Sequence, residues 1–188
     1  MKKIIFTILL GTSLFAEYQV GDTISDEHLQ SILPVCYGGD DFRLSSLEGK
    51  FIWIEFSASW WTSCKYFTSS VGECSSCTED NSGIADAIHH YWEGNEDFTT
   101  FLVLDDLNQP YDCVEWGNFG EDNIPLIVSG DEFPITNDWF GFDNYPWNVL
   151  INPDMEIVSM QNTNPSIWSM AEAVGDALGG GVEELASN

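Results

Sequence analysis

The sequence predicts an α/β protein with a mixed central β-sheet flanked by helices. Three bulky apolar runs, FIWIEFS (51–57), TTFLVLD (99–105) and PLIVS (125–129), read as strands buried on both faces. Segments of helical character separate them. The last two strands, WNVLI (147–151) and EIVSM (156–160), are joined by the turn NPDM with Pro153 where a turn favours proline. Alternation that ends in a hairpin gives a sheet with both parallel and antiparallel pairs. The 188 residues, 44% apolar and 14% aromatic, suffice for one core.

Residues 1–16 place Lys2 and Lys3 before the apolar run Ile4–Leu10, then small residues and Ala16, as a signal peptide does. The run is too short to span a bilayer, which takes about 20 residues. Export to a periplasmic or extracellular compartment is the expectation. Residues 17–50 carry turn signals at Gly21-Asp22, Gly38-Gly39-Asp40-Asp41 and Glu48-Gly49 and only short apolar runs, so they read as an irregular or hairpin-like N-terminal extension. The main domain is expected over 51–178. After its first strand, Thr62 or Ser63 is placed to cap a helix opening around Cys64. Residues 72–83, GECSSCTEDNSG, read as a cysteine-bearing insertion, and IADAIHHYW (84–92) continues the helical segment with Ile84, Ala87, Ile88, Tyr91 and Trp92 on one face. A short helix is expected around Cys113–Trp116, between the second and third strands. PSIWSMAEAVGDAL (165–178) opens with proline at a helix start and ends before Gly179-Gly180-Gly181, leaving 179–188 as a flexible tail.

The chain holds 31 Asp and Glu against 5 Lys and Arg. Without the leader, Arg43, Lys50 and Lys65 alone oppose those acids, a formal charge of −28. Nucleic acid and anionic lipid surfaces are excluded as partners, because both are bound through Lys and Arg. No stretch has the spacing of a calcium loop. The acidity therefore reads as a solvated surface suited to salty surroundings, or as a match to a cationic partner.

Five cysteines, Cys36, Cys64, Cys74, Cys77 and Cys113, travel to a compartment where disulfides persist. An odd count leaves at least one thiol over, and two bridges can be drawn in 15 ways. Cys74-Ser75-Ser76-Cys77 is a Cys-x-x-Cys without a preceding strand. It reads as a staple of the insertion, a relocated redox pair, or two ligands of a zinc site with His89 or His90. Adjacent histidines point about 100° apart on a helix, so they cannot both serve one ion.

Three runs carry a resemblance. Phe42-Arg43-Leu44-Ser45-Ser46-Leu47-Glu48-Gly49-Lys50 leads into FIWIEFSASWWTSC (51–64), and Tyr145-Pro146 leads into WNVLINPDMEIV. Together they resemble the exported TlpA/ResA-type and redoxin (AhpC/TSA-related) branch of the thioredoxin-like superfamily, over roughly residues 40–178. The resemblance implies a thioredoxin-like fold, a cis bond at Pro146 beside the motif helix, and thiol–disulfide exchange with a thiol- or disulfide-bearing protein or extended peptide. It calls for no cofactor and no metal. The motif itself departs from the family: Trp61 stands where the attacking cysteine belongs, and only the second cysteine, Cys64, remains. In such a site the first thiol attacks and the second resolves the mixed disulfide. Indole does neither. Two readings of Cys64 stay open, a structural thiol or a redox group assisted by Cys74, Cys77 or Cys113.

Three functions follow. The first is an oxidoreductase relative with a degenerate Trp-x-x-Cys motif and residual chemistry at Cys64. The second is a non-catalytic module holding a peptide against Pro146 and the aromatic residues Trp60, Trp61, Trp139, Phe140, Phe142, Tyr145 and Trp147, some of which core packing explains equally well. The third is a thiol peroxidase, which would want Thr or Ser at position 61 and an arginine near the thiol, whereas the lone arginine, Arg43, precedes the first core strand.

Overall fold

A computed structural model describes residues 17–69, 83–119, 126–162 and 167–178. The leader, the C-terminal tail and all of the 72–83 insertion except Gly83 lie outside the described residues, and Cys74 and Cys77 with them. The elements run α1 (Asp26–Leu29), β1 (Ile32–Leu33), β2 (Val35–Tyr37), β3 (Phe42–Arg43), a 3₁₀ turn (Leu44–Leu47), β4 (Phe51–Ala58), α2 (Thr62–Ser69), α3 (Ile84–Trp92), β5 (Phe98–Asp105), α4 (Cys113–Gly117), β6 (Ile127–Ser129), α5 (Ile135–Asp138), β7 (Trp147–Ile151), β8 (Ile157–Asn162) and α6 (Ile167–Leu178). Six strands form one sheet in the order β2-β6-β5-β4-β7-β8, and β1 pairs with β3 alone. β4, β5 and β6 are parallel, while β2, β7 and β8 join antiparallel, so the sheet is mixed as expected.

β4 is the central strand because its sequence can be buried on both sides. It pairs with β5 along its whole length, from Phe51↔Phe98 to Ala58↔Asp105, and with β7 from Ile52↔Ile151 to Phe56↔Trp147. Its side chains alternate between two apolar layers. Ile52, Ile54 and Phe56 pack with Phe101, Val149 and Ile151 on one face. Trp53 meets Ile88 of α3 and Met170 and Val174 of α6 on the other, together with Leu150.

The N-terminal stretch is more than an extension. Ile24, Leu29, Leu33 and Leu44 are buried in the main core, where each fully buried leucine or isoleucine contributes about 1.5–3 kcal/mol. The Tyr18 N–H donates to the Trp139 carbonyl, Ile24 N–H to Met155, and Ile157 N–H to Asp22. β2 becomes an edge strand beside β6. Its run is too short to register as a strand by periodicity, so its pairing comes from tertiary contacts.

The disulfide left undecided by the sequence joins Cys36 of β2 to Cys113 of α4, with Cα atoms 5.8 Å apart. The helix is held for it by a reciprocal cap. Asp112 accepts from the Glu115 N–H at 2.8 Å, and Glu115 accepts from the Asp112 N–H at 3.1 Å. Gly117 completes the fit, because a Cβ there would lie 2.4 Å from the Tyr37 ring. Among the described residues no helix is long and apolar enough to cross a membrane.

Candidate functional site

The site lies at the C-terminal end of β4, where the chain leaves the sheet through Ser59-Trp60-Trp61 into α2. The helix starts at Thr62, two residues before the sequence placed it. The Trp61 carbonyl accepts from the Cys64 N–H (3.0 Å) and the Lys65 N–H (3.3 Å), so Trp61 takes the capping place and Thr62 and Ser63 fall inside the first turn. Trp61 therefore stands at the start of α2 and Cys64 in its first turn.

Trp60 and Trp61 are 47% and 37% exposed and meet edge to face at 4.9 Å. The Trp60 indole N–H donates to the Asp106 carboxylate at 2.6 Å. That carboxylate sits on a fixed loop, because the Asp131 carboxylate accepts from the N–H groups of Asp106 (2.7 Å) and Leu107 (3.0 Å) and the Ser59 hydroxyl donates to the Asp106 carbonyl.

Cys64 is an unbonded thiol with no exposed surface. Burial pushes it up to about 12, and the charges of Glu55 and Asp105 add to the rise. Hydrogen bonding from the Ala58 backbone and Ser57 favours the thiolate but is outweighed. Lys65 gives it no help: its ammonium lies over the rings of Tyr111 (4.9 Å) and Phe119 (4.8 Å) and bonds the Tyr111 hydroxyl at 3.2 Å. A buried, protonated thiol is a poor nucleophile.

Two acids stand close to it that the sequence reading did not single out. Glu55, 2% exposed, accepts from the Ser57 hydroxyl (2.6 Å) and from the Thr68 hydroxyl of α2 (2.5 Å). Burial pushes its carboxyl up to about 7, against those two hydrogen bonds, and the charge of Asp86 adds to the rise. The signal was a lone acid within the apolar run FIWIEFS. Asp105, at the end of β5, accepts from the Thr136 hydroxyl (2.6 Å) and the Tyr145 hydroxyl (2.9 Å). Burial raises its pKa as well, and the same environment holds the Tyr145 phenol far above its ordinary value. Gly130 leaves room for this carboxylate, since a Cβ there would stand 2.0 Å from its Oδ1.

The Tyr145–Pro146 bond is cis, and the pairing of Trp147 with Phe56 sets it beside the end of β4. Pro146 itself is buried. The aromatic surface drawn from the sequence divides: Trp139, Phe140 and Phe142 belong to the core, with Phe142 stacked on the partly buried Trp147 at 4.5 Å, and only Trp60 and Trp61 reach solvent as large exposed rings. Cys113 is bonded to Cys36, and that disulfide packs in the same buried cluster as Cys64. Arg43 donates to the Gln30 carbonyl. His89 and His90 lie on α3, and among the described residues no group of histidine, cysteine and carboxylate side chains could hold a metal ion.

No family model and no curated protein matches this sequence. Solved structures do. MTB dsbF is 17% identical, with 79% of this chain and 96% of that one covered at a TM-score of 0.56. A secreted Mycobacterium tuberculosis disulfide oxidoreductase homologous to Escherichia coli DsbE is 16% identical over 82% of this chain and 99% of that one, TM-score 0.53. A cysteine-to-serine mutant of Xylella fastidiosa PrxQ is 15% identical over 87% and 99%, TM-score 0.53. The fold is thioredoxin-like, the fold of thiol–disulfide oxidoreductases.

Proposed function

We propose that this chain is an exported, thioredoxin-like relative of the thiol–disulfide oxidoreductases that has lost two-thiol turnover at positions 61 and 64 and binds an extended polypeptide through Trp60 and Trp61. The observation that supports this is at the start of α2: Trp61 stands there as an exposed indole, and the thiol of Cys64 is sealed with its pKa pushed up to about 12. Thiol exchange needs an accessible thiolate. The exposed tryptophan pair supplies what polypeptide recognition uses, large rigid apolar area at low entropic cost, held in place by Asp106. With Pro146 buried, the rings rather than that backbone are the contact surface. The leader-like residues 1–16 and the secreted relative support export.

One observation favours a second reading, residual redox chemistry at Cys64. Glu55, a buried carboxyl pushed up to about 7 whose charge reaches the thiol, places a group that titrates near neutral pH in the field of Cys64. Cys74 or Cys77 would then supply the second sulfur.

Reduction of a protein disulfide, followed with the mature chain and a dithiol reductant, separates the readings. The binding reading expects background rates for wild type and Cys64→Ser alike, and a gain of at least about tenfold for Trp61→Cys, which restores an attacking thiol at the helix start. Wild-type turnover abolished by Cys64→Ser would establish the second reading instead. A folded but inert Trp61→Cys protein would show that the motif has been misplaced.

A further inference from the structure

A cavity of about 410 Å³ opens at the other end of the sheet, among residues that begin β5, end α3 and form the β3 turn. Its size is that of a small-molecule site. Two aromatic pairs wall it. Phe42 meets Phe101 edge to face at 5.3 Å, and Trp92 meets Phe98 at 5.6 Å. Trp92, Phe98 and Phe101 are buried core residues, so the walls are held by packing on both sides of β5.

The carboxylates at this cavity share it with the neutral side chains of Asn95, Thr99 and Thr100 and with the unpartnered indole N–H of Trp92. Asp40 and Glu93 are exposed carboxylates among its lining, Glu93 with the His90 Nδ1 3.8 Å away, and no lysine or arginine lines it among the described residues. His89, the one other ionisable lining group, is held below its ordinary pKa by burial and so brings no opposing charge at neutral pH. Asp40 is presented by a fixed turn: the neighbouring Asp41 accepts from the Val35 N–H at 2.8 Å, and Gly39 lets the turn close on Leu126, which a Cβ would approach to 2.8 Å.

Aromatic faces attract cations through their quadrupole, by about 0.5–1 kcal/mol at exposed sites and more when water is excluded. Carboxylates at the mouth add attraction of the same sign, and a chain of net charge −26 raises the local concentration of cations. We propose that this cleft binds a small organic cation of the alkylammonium class, with the cationic head against the rings of Phe42 and Trp92 and Asp40 and Glu93 at the entrance. The site is separate from Cys64, which lies past the opposite end of β4, and it does not depend on the function proposed above.

Calorimetric titration of the mature protein with choline, tetramethylammonium and 3,3-dimethylbutanol, the uncharged isostere of choline, tests this at near-physiological salt and about pH 8. Saturable 1:1 binding of the two cations is expected, with the alcohol at least about tenfold weaker. The double variant Asp40→Asn, Glu93→Gln changes only exposed side chains and should weaken choline at least about tenfold, while Phe42→Leu should weaken it with the charges intact. Equal affinity for choline and the alcohol would overturn the proposal in favour of a merely apolar cavity. Binding that the double variant and Phe42→Leu both leave unchanged would assign the cation to the general acidic surface, and the absence of saturable binding would remove the site altogether.

Discussion

A carboxylate buried beside a buried thiol makes the chemistry of this site depend on single groups. Glu55 shows the effect most directly, because burial pushes it up to about 7 from 4.5. Between those values the folded chain holds a proton that the unfolded chain has released. The stability associated with the neutral acid is therefore complete below about pH 4.5 and is lost as pH rises through about 7, an effect of about 3 kcal/mol. Glu55→Gln should remove most of that slope. Urea unfolding at about pH 5 and about pH 8 measures it: wild type should lose about 2–3 kcal/mol more than the variant across this interval, and equal losses would show that Glu55 titrates normally. Gly130 makes a second test, since any side chain there would enter space that the Asp105 carboxylate occupies. Gly130→Ala should cost about 1–3 kcal/mol by displacing that acid from Thr136 and Tyr145. A variant as stable as wild type in thermal unfolding would mean that the loop gives way without strain.

At the scale of elements, the strands and long helices were legible because periodicity and apolar runs dictate them. FIWIEFS became β4, TTFLVLD became β5, and IADAIHHYW became α3 with Ile84, Ile88 and Trp92 buried and Tyr91 against the same cluster, joined by Ala85 where Ala87 was expected. What the sequence hid were elements fixed by partners distant in the chain. β2 has only three residues, and α1 and α5 are single turns whose burial is decided by the core they meet. The candidate site divides along the same line: Trp61 and Cys64 are proposed from motif spacing, whereas Asp105 and Glu55 gain their significance only from what surrounds them. Closure of Cys36 to Cys113 likewise depends on the capped α4 reaching an edge strand 77 residues away in sequence. Removing that link by Cys36→Ser with Cys113→Ser should cost about 2–5 kcal/mol, since a loop of this length restrains the unfolded chain strongly. Differential scanning calorimetry would register it as a lower midpoint. An unchanged midpoint would indicate that the β2–α4 contact is held by packing alone.

The whole molecule carries one dominant physical feature, a formal charge of −26. Self-repulsion of that size opposes compaction and is screened by salt, with a Debye length of about 30 Å at 0.01 M and about 3 Å at 1 M. Thermal unfolding should therefore move to higher temperature as sodium chloride is raised over that range. A midpoint that stays constant would mean that the acids are spaced widely enough to be independent. The same charge sets partner chemistry, disfavouring polyanions and favouring polypeptides and small ligands of positive sign. Within that surface Trp60 and Trp61 stand out as paired apolar rings, and a thiol-blocked, unfolded polypeptide of net positive charge should bind wild type and lose affinity with Trp60→Ala and Trp61→Ala. The proposed function requires that Cys64 be sealed and its thiol inert. Alkylation of the native mature protein without reductant, then again after denaturation, followed by peptide mass spectrometry, tests it most directly. Cys64 is expected to be unlabelled in the native protein and labelled once unfolded, with Cys36 and Cys113 recovered as one bonded pair. Recovery of Cys64 in a bridge with Cys74 or Cys77, or rapid native labelling of Cys64, would contradict it.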